Sequence, residues 1–381
     1  MINLLKLKNK SFIPVSEPLL SKKDIYHINK AVKSGWISSS GEYLNNFEKN
    51  FSQYLGVKYS TAVSNGTAAL EIALKSIGIK KNDEVIIPNF TIISNALAVI
   101  KLGAKPIFVD CKLYDWNMDF DLIKKKYTKK TKAIIATHIY NFPCDIVKIK
   151  KFCLEKKIFL IEDAAETFGL DVNKKKCGSF GDISTFSFYA NKQITTGEGG
   201  MICTNNKKII QKCQDLKNLC FGKFDRFNHN DIGWNYRFTN VQAAIGYSQL
   251  QRIDEIVKKK QTIGTIYYDN LKENKNIFIP PPQNNKGKKN IYWVVAILIK
   301  EKKFTAKKIA DILKKLNIET RPFFYPMHRQ DIFKKLNYNF EKQSHPNSDF
   351  ISKYGLYLPS SLKIKKKEIL NICNILNEVL K

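Results

Sequence analysis

Between residues 60 and 205, short apolar runs alternate with segments of helical periodicity, and this alternation constrains the fold more than any other feature of the chain. Glu84–Pro88, Pro106–Asp110, Ala133–Thr137 and Phe159–Glu162 are nearly continuously apolar rather than apolar at every second residue. A strand with one wet face alternates, whereas one covered on both faces does not. The runs therefore predict a mainly parallel sheet with helices on both sides. Phe186–Tyr189 and Gly200–Thr204 add two strands around a Gly-rich turn. In sheets of this kind, ligands bind at the carboxyl ends of the strands.

Beyond this region, apolar residues at Val241, Ala244, Ile245, Leu250, Ile253 and Ile256 predict one long helix over residues 240–275. Pro280–Pro282 and the Lys/Asn/Gly stretch through Asn290 read as a surface connection. A strand at Tyr292–Ile299, a helix at Ala306–Leu316 and a closing helix at Glu368–Leu380 predict a smaller α+β domain. A length of 381 residues fits two domains. The expected division is 1–252 for a large domain with an N-terminal arm and 253–381 for a small C-terminal one, with the boundary inside the long helix.

The net charge of +30 raises the question of nucleic acid. Only five of the 64 basic residues are arginine, the type favoured for reading base edges, and the lysines are spread along the whole chain. A solvated basic surface that attracts anionic substrates is expected, not a nucleic-acid site. No apolar run is long enough to span a bilayer. Residues 1–13 are Lys-rich but lack the apolar stretch of a secretion signal. The eight cysteines show neither metal spacing nor a CxxC pair, so no metal is expected and a reducing cytoplasm is the expected location.

Three segments carry chemistry. Ser64-Asn65-Gly66-Thr67-Ala68-Ala69-Leu70 follows a short strand and opens a helix, a setting that suits a phosphate but equally an ordinary cap. Ile158–Glu166 (IFLIEDAAE) delivers acids at a strand's carboxyl end and then small residues that leave room for a flat ligand. Such an acid can pair with a protonated ring nitrogen, or simply favour a helix start. The third segment runs from Gly178 to Gly200 and sets Lys192 between a strand and the turn Thr195-Thr196-Gly197-Glu198-Gly199-Gly200. A lysine becomes a Schiff-base nucleophile when burial or a neighbouring charge lowers its pKa.

In this order SNGTAAL, IEDAAE, GSFGD, FSF–K–TTGEGG and GWNYR–QAAIG resemble the DegT-type nucleotide-sugar aminotransferases, a branch of the fold-type I pyridoxal-phosphate enzymes. The resemblance runs from Ile13 to about Ile372. It implies an α/β aminotransferase fold and pyridoxal 5′-phosphate as cofactor. Lys192 would be the Schiff-base lysine and proton shuttle, and Asp163 the partner of the ring nitrogen. Ser187 and the backbone of Gly66 and Thr67 would hold the phosphate. Asn235 would reach that phosphate from the neighbouring subunit, which implies a homodimer with shared active sites. Glu166 stands where many relatives have His and where the perosamine-synthase group has Glu. Ile13–Val15 through Gly35–Ser39 and Glu319–His328 also resemble that group. Trp36, Ser38, Arg321, Phe323, Tyr325 and His328 are accordingly expected to contact substrate.

The implied acceptor is a 4-keto-6-deoxy hexose on a nucleoside diphosphate, aminated at C4 in surface-glycan biosynthesis, with L-glutamate as donor. GDP-4-keto-6-deoxymannose is the expected substrate, and a UDP-sugar (viosamine-type) amination is the alternative. A sugar dehydratase using the same cofactor ranks lower, since such relatives carry His where this chain keeps Lys192, and so does a non-catalytic cofactor-bound regulator. Two positions depart from the family's pattern. Ile92 replaces an aromatic that stacks on the cofactor, and Asn141 replaces Gly in His138-Ile139-Tyr140-Asn141. Asn tolerates positive φ, so the turn is expected to survive.

Overall fold

The computed structural model describes residues 11–222 and 224–381. Most of the Lys-rich segment considered above, residues 1–10, lies outside the described residues. The central sheet comprises β1 (Tyr59–Val63), β2 (Glu84–Pro88), β3 (Lys105–Val109), β4 (Thr131–Thr137) and β5 (Phe159–Asp163). After a small hairpin of β6 (Asp171–Val172) and β7 (Lys175–Lys176), it is completed by β8 (Ile183–Ser187) and β9 (Gly200–Thr204). The seven strands lie in the order β1-β9-β8-β5-β4-β2-β3. β9 runs antiparallel to both its neighbours, and the pairs from β8 to β3 are parallel. Burial of every residue in β2 and β9 explains why these strands read as solid apolar runs.

A second sheet, β10 (Ile277–Phe278), β11 (Val295–Ile299), β13 (Gly355–Leu358) and β12 (Arg321–Pro322), is wholly antiparallel. Helices Ile253–Leu271, Ala306–Lys315 and Lys366–Val379 pack with it around one apolar cluster. The strand expected from Tyr292 begins only at Val295. Tyr292 takes a left-handed φ of 48° and is tied at both ends, its N–H to Asn290 Oδ1 (2.8 Å) and its hydroxyl to the Pro280 carbonyl (2.8 Å).

The expected single helix over 240–275 is two, Asn240–Leu250 and Ile253–Leu271. Arg252 leaves helical geometry (φ −125°, ψ 22°), and its guanidinium pairs with the fully buried Asp24 of helix Lys22–Lys33. An uncompensated carboxylate at that depth would be costly, so the ion pair outweighs helical continuity. The first of the two helices is buried on several sides, including at Gly246, where an added Cβ would lie 2.6–3.0 Å from the Phe47 ring. Helix propensity alone would make Gly246→Ala stabilising. The contact reverses the sign: we expect a loss of about 1–3 kcal/mol from overpacking, read as a lower urea midpoint.

Among the described residues, no helix is long and apolar enough to cross a membrane.

Candidate active site

The carboxyl ends of β2, β5 and β8 open on one cavity of about 640 Å³. It is lined by Gly66, Thr67, Ile92, Asp163, Glu166, Ser187 and Lys192, seven residues expected from sequence to form the site.

Strand alternation sorts the two acids that end β5. Glu162 turns to one face, where its carboxylate accepts the N–H groups of Gly178 (2.6 Å), Phe180 (2.8 Å) and Gly181 (2.9 Å). It also takes the Nε2–H of His138 (2.9 Å), whose Nδ1 accepts the Cys144 N–H (3.1 Å). Glu162 thus anchors the GSFGD loop. Asp163 turns into the cavity, accepting from the amide of Asn95 (3.3 Å) and the hydroxyl of Thr137 (3.4 Å). Burial pushes its carboxyl above the usual range. Burial raises Glu166 too, and its Oε2 accepts the Tyr140 N–H at 2.7 Å.

Lys192 follows β8 in a turn closed by its own N–H to the Tyr189 carbonyl (2.9 Å). Burial lowers its pKa, against the pull of Glu166 and Asp163. Helix Gly66–Ser76 begins at the cavity wall, where Asn65 caps Ala68 through its side chain (2.8 Å). The cap and phosphate readings of this segment are therefore compatible. Helix geometry leaves the first N–H groups, those of Gly66 and Thr67, without intrahelical acceptors. A Cβ on Gly66 would meet Ser187 Cβ at 3.0 Å and Oγ at 3.3 Å, so only glycine leaves this corner open.

The sequence profile of the DegT/DnrJ/EryC1/StrS aminotransferases matches residues 18–377. The chain belongs to this family. It is 40% identical over 370 residues to the GDP-perosamine synthase of Escherichia coli O157:H7, covering 96% of this chain and 98% of that one. The GDP-perosamine synthase of Vibrio cholerae is 40% identical over 95% and 97% of the two chains. Helicobacter pylori PseC, an aminotransferase involved in the biosynthesis of pseudoaminic acid, superposes with a TM-score of 0.90 at 25% identity, over 97% of this chain and 99% of that one.

Pyridoxal 5′-phosphate is the cofactor of this aminotransferase family, and the cavity fits it. A buried carboxylate faces a place where a cationic ring nitrogen would compensate it. An amine of lowered pKa stands within the same cavity, and an open helix N-terminus beside Ser187 suits a phosphate.

Other expected residues lie elsewhere on the protomer. Asn235 is exposed and does not line the cavity, and Trp36, Ser38, Arg321 and Tyr325 are also exposed. Phe323 is buried against Trp116 (4.9 Å between ring centroids) and Tyr140 (5.0 Å). His328 is 1% exposed and bonds through its N–H to Asn89 Oδ1 (3.0 Å), behind the wall. The left-handed residue of the 138–141 turn is Tyr140 (φ 52°), not Asn141, so the Gly-to-Asn departure needs no special backbone at that position.

Trp293, Phe324 and Tyr357 line the cavity without having been singled out from sequence. They come from the C-terminal region, where each reads as an ordinary apolar residue in or near a strand. Tyr236, quoted only as part of GWNYR, and Lys101 were given no role from sequence; both bond Glu71, which is 2% exposed (2.9 and 2.6 Å).

Proposed function

We propose that this aminotransferase aminates C4 of a nucleotide-linked 4-keto-6-deoxy hexose, converting GDP-4-keto-6-deoxymannose to GDP-perosamine with L-glutamate as donor. The observation that carries this reading is Lys192 in one cavity with Asp163 and Glu166, in a chain 40% identical to two GDP-perosamine synthases. Glu166 further supports it, being the acid that the perosamine-synthase group carries at this position.

The bound cofactor supplies a carbonyl carbon that takes up the amino group and a ring that accepts electrons. Around it, the chain's own residues divide the work. Asp163 holds the ring nitrogen protonated. The N–H groups of Gly66 and Thr67 and the Ser187 hydroxyl bind the phosphate. Ile92, 46% exposed in the protomer and lining the cavity, would cover one ring face by dispersion where relatives stack an aromatic. Lys192 would anchor the cofactor covalently, and when free its amine would serve as the base and acid that moves the proton of the glutamate α-carbon. The same group, acting in reverse, delivers a proton to the sugar carbon.

We further infer a homodimer with Asn235 reaching across it. Phe224, Phe227 and Ile232, which precede Asn235, are 104%, 78% and 79% exposed, an apolar surface that a second copy would cover. Sedimentation as an active monomer would contradict this. Trp36, Ser38, Arg321 and Tyr325 are assigned to the sugar nucleotide at that shared site. Phe323 and His328 are assigned to shaping its wall from beneath. The large domain is taken to end at residue 252, where the helix breaks, and residues 253–381 to form the small one. A biosynthetic role of this kind places the protein in the cytoplasm.

The test is amination of GDP- and UDP-linked 4-keto-6-deoxy sugars side by side with glutamate. We expect the GDP sugar to be used with the higher kcat/KM and the product to carry its amine at C4. Preference for the UDP sugar, or an amine at C3, would reject the substrate assignment.

A further inference from the structure

The most specific contact of Lys192 is with a residue that nothing above has given a role. Trp293 is 4% exposed and lines the same cavity as the two acids. The Lys192 ammonium nitrogen sits 3.7 Å from the centroid of its ring. Its indole N–H donates to the carbonyl of Asn191, the residue just before Lys192, at 2.9 Å. The ring is aimed by the anchored left-handed turn at Tyr292 and leans on Tyr140 (5.9 Å), whose N–H in turn bonds Glu166.

We propose that Trp293 is a positioning residue for Lys192: its ring face stations the free ammonium group beside Asp163 and Glu166, and its N–H fixes the backbone that carries the lysine. The proposal rests on Lys192 being the cofactor's lysine. A lysine that alternates between bound and free must not lose its place when free, and four methylene groups give it ample freedom to do so. The electron-rich face of an indole attracts a cation most strongly of the aromatic side chains, and more so out of water. Three groups set the charge of Lys192. Asp163 on β5 and Glu166 just after it favour the ammonium form as the ring does, while burial opposes all three. Removing the ring therefore shifts the balance towards the neutral amine.

The test uses the full-length protein freed of cofactor and mixed with pyridoxal phosphate across a range of pH. Only the neutral amine attacks the aldehyde, so the midpoint of the rate profile for the yellow chromophore reports the Lys192 ammonium. In Trp293→Leu the midpoint is expected to fall by about one pH unit. In Trp293→Phe, which keeps a weaker ring and loses the N–H, it falls less but in the same direction. Fluorinated tryptophans in the unmutated chain drain the ring face without changing its shape, and should lower the midpoint stepwise with the number of fluorines. That series does not depend on whether a substitution disturbs folding. A midpoint unmoved in the variants and under fluorination, with rates merely scaled at every pH, would overturn the proposal. A protein that forms no chromophore at any pH would instead overturn the assignment of Lys192, and this inference with it.

Discussion

Lys192→Ala is expected to melt at nearly the temperature of the unaltered protein and yet lose turnover by at least about 10⁴-fold, the upper range for a single general acid–base group. The melting expectation follows from the environment. Lys192 makes no ion pair among those of the described residues, and burial already works against its charge. Removing an amine from a desolvated site relieves that cost while giving up the contact with the Trp293 ring and the attraction of Asp163 and Glu166, so the opposing terms leave only a small net change. The loss in rate is large because one nitrogen performs two tasks, covalent anchorage and proton transfer at the α-carbon. Stopped-flow mixing with glutamate separates them: added small amines restore proton transfer but not the anchor. Turnover within tenfold of the unaltered protein would mean that another lysine does the work.

Asp163→Asn should be the second most damaging change. The substitution keeps the shape of the side chain and its place beside Asn95 and Thr137 but removes the negative charge. Without that charge the ring nitrogen loses the carboxylate assigned to it, while Glu166, the nearby acid of the same cavity, is held by the Tyr140 N–H, and the ring loses most of its pull on electrons. We expect a fall of about 10²–10³-fold in the glutamate half-reaction, the cost of deleting one preorganised electrostatic partner. The chromophore itself should still form, since Lys192 is intact. Single-turnover bleaching measures the rate, and a fall of less than tenfold would contradict the pairing.

Much of the fold was legible because buried parallel strands leave a signature that survives in one sequence. Glu84–Pro88 and Gly200–Thr204 are strands at the same residues where the apolar runs place them. The break at Arg252 was not legible, since it depends on Asp24, more than two hundred residues away, and apolar periodicity continues through it. Tyr292 hides its left-handed turn for a similar reason: the tethers that hold it, Asn290 and the Pro280 carbonyl, carry no periodic pattern.

In the site, glycines, acids and a lysine at strand ends point to chemistry because few structural roles need them there. Trp293 gives no such sign; an indole ahead of an apolar strand looks like core until its ring is found against Lys192. His328 shows the converse, a polar residue in a suggestive motif that the fold spends on Asn89. By residue type alone Glu162 and Asp163 are indistinguishable as neighbours in sequence, and only the family resemblance singles out Asp163. The alternation of β5 separates an anchor for a loop from a wall of the cavity.

The central claim, that Lys192 holds the cofactor, is tested most directly by reducing the protein with borohydride in the presence of pyridoxal phosphate and mapping the modified peptide. Most of the chain's 64 basic residues are lysine, so the background of unmodified candidates is large and the result is discriminating. The account predicts one phosphopyridoxyl group per chain, on Lys192, and loss of the label when glutamate is added before reduction. A label on another lysine, or one that glutamate leaves in place, would contradict it.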